Sequence, residues 1–337
     1  MMFTLSSEQT DFALVLHSFL EAGRRDLAEL GVEEVTDPVD LVVVFEELGH
    51  HAVPGPLIES LAVVPALLGE AGAEAGSHAV AVAPSSAVPS STVPSSATPS
   101  PAAPPSALPT SAAPSAAAPS SAAPTSAAPP SAVPSRSRGA TSSVAFLPQM
   151  PHALEADRYL LVDGDTVHEA LPVVSVSSVD PSRTLFELAP GPVVATGVPA
   201  TRAFDLGVLV CAAQLLGLGR AMLEMTTAHA LARTQFGKPI GSFQAVKHHL
   251  ANALIGLELA RPLIFGAAVT MTSRDVSAAK VATADAAWAA ARTALQVHGA
   301  IGYTAEHDLG RFLLQTRALR TAWGSPSMHR TRVLEAL

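Results

Sequence analysis

Prolines recur at every fifth position from Pro84 to Pro134, and the residues between them are almost all Ser, Ala, Thr and Val. Proline fixes φ and lacks an N–H, so this density prevents a helix and cannot join a sheet interior. The segment also lacks the large apolar side chains that offset the entropy cost of ordering. We therefore predict a disordered or extended Pro/Ala/Ser pentad-repeat insert over residues 84–143, placed in a surface loop. A tether that binds a partner is an alternative interpretation of this insert.

Composition narrows the classes of partner. The 337-residue chain is long enough for two or three domains. Its net charge of −9 argues against a nucleic-acid partner. The single cysteine, Cys211, excludes an internal disulfide and a cysteine metal cluster, so no metal is predicted. The apolar run around it, residues 206–219, is shorter than the ~20 residues of a membrane span. Because Glu8 and Asp11 come early and no basic segment precedes an apolar stretch, we expect a cytoplasmic protein without a signal peptide and no membrane partner.

The regions on either side of the insert have different patterns. Ser6 and Gln9 fit a capping box, and Asp37-Pro38 suits the start of a second helix. Short apolar runs separated by turns such as Asp163-Gly164-Asp165 predict strands after the insert. Long Ala- and Leu-rich stretches nearer the C-terminus predict antiparallel helices. The predicted helices are 5–30, 38–49, 57–68, 203–233, 241–271, 276–298 and 306–319, and the predicted strands are 80–83, 144–147, 159–162, 166–167, 173–176 and 184–188.

These elements predict a fold that is mainly α with a small β domain. An N-terminal helical domain covers residues 1–76. A reduced β domain, interrupted by the insert, covers residues 77–200. A C-terminal four-helix bundle covers residues 201–337.

The segment from Arg233 to Gln244 carries the most informative motif. Arg233 is always charged and presents a planar fork that suits a phosphate. Phe236 offers a flat apolar face, and Gln244 can both donate and accept hydrogen bonds. A turn around residues 237–239 separates these groups and joins two predicted helices. The segment suits a dinucleotide lying across a helix–helix corner, although an ordinary helical hairpin with a solvated Arg is an alternative.

A second segment, Gln296 to Glu306, follows a long Ala-rich helix. Gly299 and Gly302 let the backbone approach a ligand closely or adopt a positive φ. In this order, the Arg-x-x-Phe-Gly-x-x-Ile-x-x-Phe-Gln segment and the Gln-x-x-Gly turn resemble the C-terminal helical domain of the acyl-CoA dehydrogenase family. The resemblance is good over residues 204–332 and loose over residues 5–76.

The resemblance implies FAD as the cofactor and α,β-dehydrogenation of an acyl-CoA thioester as the activity. It also implies an electron-transfer flavoprotein as the electron acceptor. In this family the two motifs reach across a subunit interface to the adenosine and pyrophosphate of a neighbour's FAD. The residues carried over as cofactor-binding are Arg233, Phe236, Gln244, Gln296 and Gly299. His298 is expected to be packed or solvated.

The dehydrogenation needs a carboxylate within reach of the substrate's α proton. The resemblance places this base either in a turn after the last bundle helix or on the first helix of the domain. Trp323 and Gly207 stand at those two positions, and neither side chain can take a proton. No catalytic residue is therefore predicted in this chain. Asp205 and Glu306 are the alternatives for a displaced base.

A chain without the base resembles one subunit of the heteromeric acyl-CoA dehydrogenases that act on steroid side chains. Those enzymes are α2β2 assemblies in which one kind of subunit supplies the glutamate. The resemblance implies a second acyl-CoA dehydrogenase subunit as partner and an inactive protein when this chain is alone. A complete homomeric enzyme and a non-catalytic scaffold of the same fold are the alternatives.

Overall fold

The computed structural model describes residues 5–69, 141–304 and 306–337. Most of the predicted insert and the predicted strand 80–83 lie outside the described residues. The described helices are α1 Ser7–Glu21, α2 Pro38–His50, α3 Val64–Leu68, α4 Ala200–Ala232, α5 Gln244–Thr270, α6 Ser273–His298, α7 Leu309–Thr321 and α8 Pro326–Glu335. The described strands are β1 Ser142–Leu147, β2 His152–Leu154, β3 Arg158–Asp163, β4 Thr166–Ser177, β5 Thr184–Thr196, β6 Thr234–Gln235 and β7 Lys238–Pro239. The predicted fold class, mainly α with a small β domain, is confirmed.

The N-terminal helices begin where their caps predict. The Ser6 hydroxyl accepts from the Gln9 N–H at 3.1 Å, and the Gln9 side chain accepts from the Ser6 N–H at 3.0 Å. Asp37 accepts from the Val39 N–H at 2.8 Å and starts α2. The first helix ends well before the predicted residue 30, because Gly23 adopts φ +76° and two short 3₁₀ turns follow. The third predicted helix begins as a π-helical turn, Ile58–Val63, before α3.

The β domain is one five-stranded sheet with the strand order β1-β3-β4-β5-β2. Strand β1 pairs parallel to β3, and the other pairs are antiparallel. The predicted strands 166–167 and 173–176 are parts of one strand, β4, which forms a long bulged hairpin with β5. Strand β2 has three residues, too few for a period-2 pattern to show in the sequence. Strand β1 begins at Ser142, within the predicted insert 84–143, so the sheet starts two residues earlier than the sequence predicts.

Helix α4 forms the centre of the helical region and is buried over most of its length. It packs against α2, α5, α6 and α7. Its contact with α2 is unusually close, because a Cβ added to Gly217 would lie 1.9 Å from the Glu46 carbonyl oxygen. A Cβ added to Gly49 would lie 2.1 Å from the Gln214 carbonyl oxygen. Gly49, in the last turn of α2, is therefore needed for contact between two helix backbones.

A buried ion-pair network reinforces this helix crossing. The Glu46 carboxylate accepts from Arg220 of α4 at 2.8 Å and from Arg261 of α5 at 3.3 Å. Because Glu46 is buried, removing either charge would leave its partner poorly compensated. Three helices are thus joined at one carboxylate.

Two of the described helices, α4 and α5, are long and apolar enough to cross a membrane by length and composition. The apolar run 206–219 is part of the 33-residue α4, so the helix is much longer than this run. The most apolar 18-residue stretch of α4 is 89% buried inside the protein, whereas the corresponding stretch of α5 is 39% buried. The burial of α4 is that of a core helix.

Replacing Gly217 by Ala tests the close crossing. The added methyl would meet the Glu46 carbonyl, so we expect Gly217→Ala to lower the free energy of unfolding by about 2 kcal/mol or more. Gly310→Ala in α7 is the matched control, because nothing lies within 4 Å of the added Cβ. The control should leave stability unchanged or raise it slightly, because Gly310 is in the first turn of α7, where alanine gains less over glycine than in a helix interior. Urea denaturation of both variants measures the difference, and equal stabilities would contradict the close crossing.

Candidate functional site

The Arg233–Gln244 segment folds as a small hairpin between α4 and α5. Helix α4 ends at Ala232, and the Ile240 N–H donates to the Arg233 carbonyl at 2.8 Å to close the hairpin. Strands β6 and β7 are joined by Phe236 and Gly237, with φ +53° and +78°. This is the pattern of a type I′ turn, so the turn lies one to two residues earlier than the predicted 237–239.

Phe236 combines two unfavourable features at the tip of this hairpin. A left-handed φ costs an L-residue roughly 1–2 kcal/mol. Because 90% of Phe236 is exposed, burial of its side chain does little to offset this cost. Its ring meets the Phe243 ring edge-on at 6.1 Å between centroids. Lys238 Nζ lies 4.3 Å from the centre of the Phe243 ring and braces the base of the hairpin. Strained, exposed residues of this kind are characteristic of binding sites.

The predicted cofactor-binding residues are all accessible to solvent. Gly299 follows α6 with φ +63°, and nothing lies within 4 Å of an ideal Cβ there. The surface is therefore open to a ligand at that point. All five predicted side chains or positions are exposed, namely Arg233, Phe236, Gln244, Gln296 and Gly299.

A histidine stack brings the two motifs to the same end of the bundle. His229, in the last turn of α4, stacks on His298 of α6 at 4.3 Å between ring centroids. His298 in turn meets His307 edge-on at 4.7 Å. Arg233 and Gly299 are the near chain neighbours of the stacked pair. The ring contacts thus bring the C-terminal ends of α4 and α6, from which the two predicted segments follow, next to one another.

His298 itself is a packed residue. Its Nδ1 lies 2.8 Å from the Ala294 carbonyl oxygen, so Nδ1 carries the proton and donates within the helix. Its Nε2 is buried and has no hydrogen-bond partner. Burial lowers the pKa of His298, and burial together with the neighbouring His298 ring lowers the pKa of His229. Both imidazoles are neutral near pH 7, which favours their stacking.

The other end of α4 holds the two positions where a base is expected. Trp323 is buried and adopts φ +58° in the turn after α7. Its indole contacts the rings of Phe146 and Phe204, each at 5.7 Å between centroids. A Cβ added to Gly207 would lie 2.4 Å from Trp323 Cζ3. The indole therefore fills the space that a side chain at position 207 would need.

The Trp323 turn is anchored by a buried hydrogen-bond chain from α8. His329 Nε2 donates to the Trp323 carbonyl at 2.8 Å, and His329 Nδ1 lies 3.1 Å from the Ser277 hydroxyl. The same hydroxyl accepts from Arg332 Nη1 at 3.1 Å. A neutral His329 satisfies both partners, with Nδ1 accepting from Ser277. Helix α8 is not among the predicted helices, although Ser325-Pro326 has the signature of an N-cap followed by proline at the first helical position.

Neither candidate for a displaced base has the surroundings of one. Asp205 is buried, and its Oδ1 accepts from Arg332 Nη2 at 2.6 Å. Its second oxygen accepts from the Ser273 hydroxyl. These contacts fix the carboxylate in a structural ion pair. Glu306 is exposed in the turn before α7, which begins at Leu309 instead of the predicted residue 306.

The two ends of α4 are far apart. Arg233 follows Gly207 by 26 residues along one continuous helix and its cap. At 1.5 Å per residue, the two positions are roughly 39 Å apart. This separation exceeds the length of an extended dinucleotide.

The buried His329 predicts a pH dependence of stability. Burial, with Lys280 and Arg332 nearby, lowers the pKa of His329 to about 4, although its hydrogen bond to the Trp323 carbonyl opposes the shift. The unfolded chain binds this proton at about pH 6.5, so the stabilisation is complete above that pH and is lost as the pH falls toward 4. We expect a loss of up to about 3 kcal/mol from this group.

Urea denaturation of the native chain and His329→Gln over the same pH range isolates this contribution. Glutamine cannot titrate but can still donate to the Trp323 carbonyl. The variant should be less stable near neutral pH and show a flatter loss of stability toward pH 4. Parallel curves for the two proteins would contradict a neutral, buried His329.

Comparison with known proteins shows similarity to acyl-CoA dehydrogenases over part of the chain. Residues 198–337 match the family description "Acyl-CoA dehydrogenase, C-terminal domain". The chain is 31% identical to acyl-CoA dehydrogenase IpdE2 of Mycolicibacterium smegmatis over 183 residues, which cover 54% of this chain and 58% of that protein. It is 37% identical to acyl-CoA dehydrogenase FadE34 of Mycobacterium tuberculosis over 191 residues, which cover 54% of this chain and 26% of that protein. The chain thus spans less than two-thirds of either relative.

Solved structures show the same fold over nearly the whole chain. The ChsE4–ChsE5 complex from Mycobacterium tuberculosis is similar with a TM-score of 0.63 at 18% sequence identity. That comparison covers 99% of this chain and 98% of the matched chain. Residues 198–337 thus match the C-terminal domain of acyl-CoA dehydrogenases by sequence, and the chain has an acyl-CoA dehydrogenase-like fold.

Proposed function

We propose that this chain is one subunit of a heteromeric FAD-dependent acyl-CoA dehydrogenase. It contributes a set of residues that hold the adenosine and pyrophosphate of an FAD bound in a second acyl-CoA dehydrogenase subunit. This set, called the FAD grip, consists of Arg233, Phe236, Gln244, Gln296 and Gly299. The second subunit supplies the catalytic glutamate. The proposed substrate is an acyl-CoA thioester, with a steroid side-chain CoA ester as the favoured class, and an electron-transfer flavoprotein is the proposed acceptor. The proposed assembly is an α2β2 heterotetramer in the cytoplasm.

The separation along α4 is the observation that carries the proposal. Arg233 and the Trp323–Gly207 contact are roughly 39 Å apart, so one FAD cannot bridge the grip and this chain's own base region. This separation supports the proposal that these residues serve an FAD whose site another subunit completes.

The residues of the grip fit the adenosine end of FAD. The exposed Arg233 guanidinium suits a bidentate pair with a pyrophosphate, and the exposed Phe236 ring suits a flat ring face. The open surface at Gly299 admits close approach of a phosphate to the backbone. When bound, FAD supplies the acceptor for the substrate's β hydrogen. This chain's contribution is to hold and orient the cofactor.

The base region of this chain supports the second half of the proposal. An indole cannot abstract the α proton, and Trp323 leaves no space for a carboxylate at position 207. Asp205 is held by Arg332 and Ser273 and faces the packed interior between helices. In the proposed assembly a glutamate of the partner subunit acts as the general base that takes the α proton.

An apolar surface on α5 supports assembly with a partner. Leu254, Ile255, Leu259 and Leu263 are 48%, 55%, 68% and 48% exposed. Ile255, Leu259 and Leu263 follow at intervals of four residues and lie on successive turns of one face, whereas Leu254 lies to the side of this row. Contiguous exposed apolar side chains of this kind mark protein interfaces. The similar ChsE4–ChsE5 structure is itself a complex.

Co-expression with a longer acyl-CoA dehydrogenase encoded beside this chain tests the proposal. Flavin content and acyl-CoA oxidation with an artificial electron acceptor should appear only when both chains are present. Arg233→Ala should weaken FAD retention of the complex by about tenfold or more, because a charge-assisted hydrogen bond is lost. Arg202→Ala, an exposed arginine at the other end of α4, is the matched control and should retain FAD. An active, flavin-replete homo-oligomer of this chain alone would defeat the proposal.

Two substitutions separate the proposal from a complete homomeric enzyme. Loss of a general base typically costs about 10²–10⁴ in rate. In the co-expressed complex we expect Asp205→Asn and Glu306→Gln to change kcat by less than about threefold, well short of that loss. Asp205→Asn should instead lower the free energy of unfolding by about 2 kcal/mol, because the Arg332 pair is weakened. A folded, FAD-loaded variant with its rate reduced a hundredfold would identify that carboxylate as the base.

A further inference from the structure

Four side chains that can bind a metal, three histidines and one glutamate, meet between α1 and α2. His17 lies on α1, Glu47 and His50 lie on α2, and His51 follows the last residue of α2. One potential ligand atom from each lies within 4.8 Å of all the others. These four residues are called the α1–α2 histidine cluster. They take no part in the FAD grip or the Trp323 region.

The spacing within the cluster matches a tetrahedral ion. His17 Nδ1 lies 2.9 Å from Glu47 Oε2 and 3.2 Å from His51 Nε2. Zinc bonds of about 2.0–2.1 Å place tetrahedral ligand atoms about 3.3 Å apart. Two of the three separations are therefore close to that value, and the third, from Glu47 to His51, is at most 4.8 Å. Small side-chain rotations would open the site to full bond length.

His50 is held as metal-ligating histidines are held. Its Nε2 lies 2.8 Å from Glu224 Oε2, while its Nδ1 is buried without a hydrogen-bond partner. A carboxylate on one ring nitrogen leaves the other nitrogen as the free lone pair, which is the usual outer-shell arrangement at a metal site. The unpartnered Nδ1 is the atom that a bound ion would satisfy.

Charge and access also suit a cation. A cleft of about 320 Å³ borders His17, His50, Glu47 and Glu224. Arg220 lies on the same cleft, but its guanidinium is paired with Glu46 and Glu258. The cleft is also lined by the carboxylates of Glu47 and Glu224, so its negative charge favours a cation. Imidazole-rich ligand sets select zinc-like transition ions over magnesium or calcium.

We propose that the α1–α2 histidine cluster binds one divalent transition-metal ion of the zinc class. His17, Glu47 and His51 are its ligands, and His50 completes the set. The ion joins α1 to α2, whose ligands are separated by 30 or more positions in the chain, and stabilises the N-terminal helical domain by mass action. The site is structural and is independent of the proposed dehydrogenase function.

Calorimetric titration of the metal-free full chain with Zn²⁺, in complex with its partner if one is needed for solubility, tests the site. We expect one ion per chain, and we expect His17→Gln with His51→Gln to weaken binding by at least about tenfold. His248→Gln, an exposed histidine on α5 outside the cluster, should leave the affinity unchanged. Absence of saturable binding, or equal affinity in the double variant and the native chain, overturns the proposal.

Cobalt spectroscopy keeps the test decisive if the double variant does not fold. Native chain with one equivalent of Co²⁺ should show the intense visible bands of four-coordinate cobalt, and Glu47→Gln should lose or shift them. A weak six-coordinate spectrum in the native chain overturns the proposal. Zn²⁺ should also raise the Tm of the native chain, and an unchanged Tm at saturating Zn²⁺ contradicts a structural site.

Discussion

Direct contact between the backbones of α2 and α4 is the constraint on which the rest of the structure depends. Gly49 and Gly217 remove the two Cβ atoms that would keep these helices apart. The crossing buries α4 and brings Arg220 to the Glu46 carboxylate. A helix fixed in this way acts as a rigid rod, and the positions at its two ends cannot approach one another.

The two ends of that rod have opposite chemical character. At the C-terminal end, a strained and exposed Phe236 and a charged Arg233 stand open to another molecule. At the other end, Trp323 packs on Gly207 and is anchored through the buried His329. The polar groups there are committed to stability, because each has a protein partner. One end of the helix is thus open to another molecule, whereas the other end is filled by packed side chains.

The sequence predicted much of the helical architecture because its signals are local. The capping box at Ser6 and the Asp37-Pro38 start were confirmed as hydrogen bonds. Local patterns failed where tertiary pairing decides the outcome. The strand β2 is three residues long and forms only because β5 offers an edge, and the bulged β4 reads as two strands in sequence. Helix α8 had a visible Ser325-Pro326 start but a weakly apolar face, so periodicity did not reveal it.

The sequence alone determined which residues stand at the predicted cofactor-contact positions and that Trp323 and Gly207 stand at the two predicted base positions, since residue identity needs no coordinates. Only the tertiary structure decided that Trp323 and Gly207 occupy one space, that Asp205 is bound by Arg332, and that His17 meets the histidines of α2. The physical reason is that such contacts join residues far apart in the chain. Their distances are set by how whole helices pack, and no local pattern of side chains records that packing.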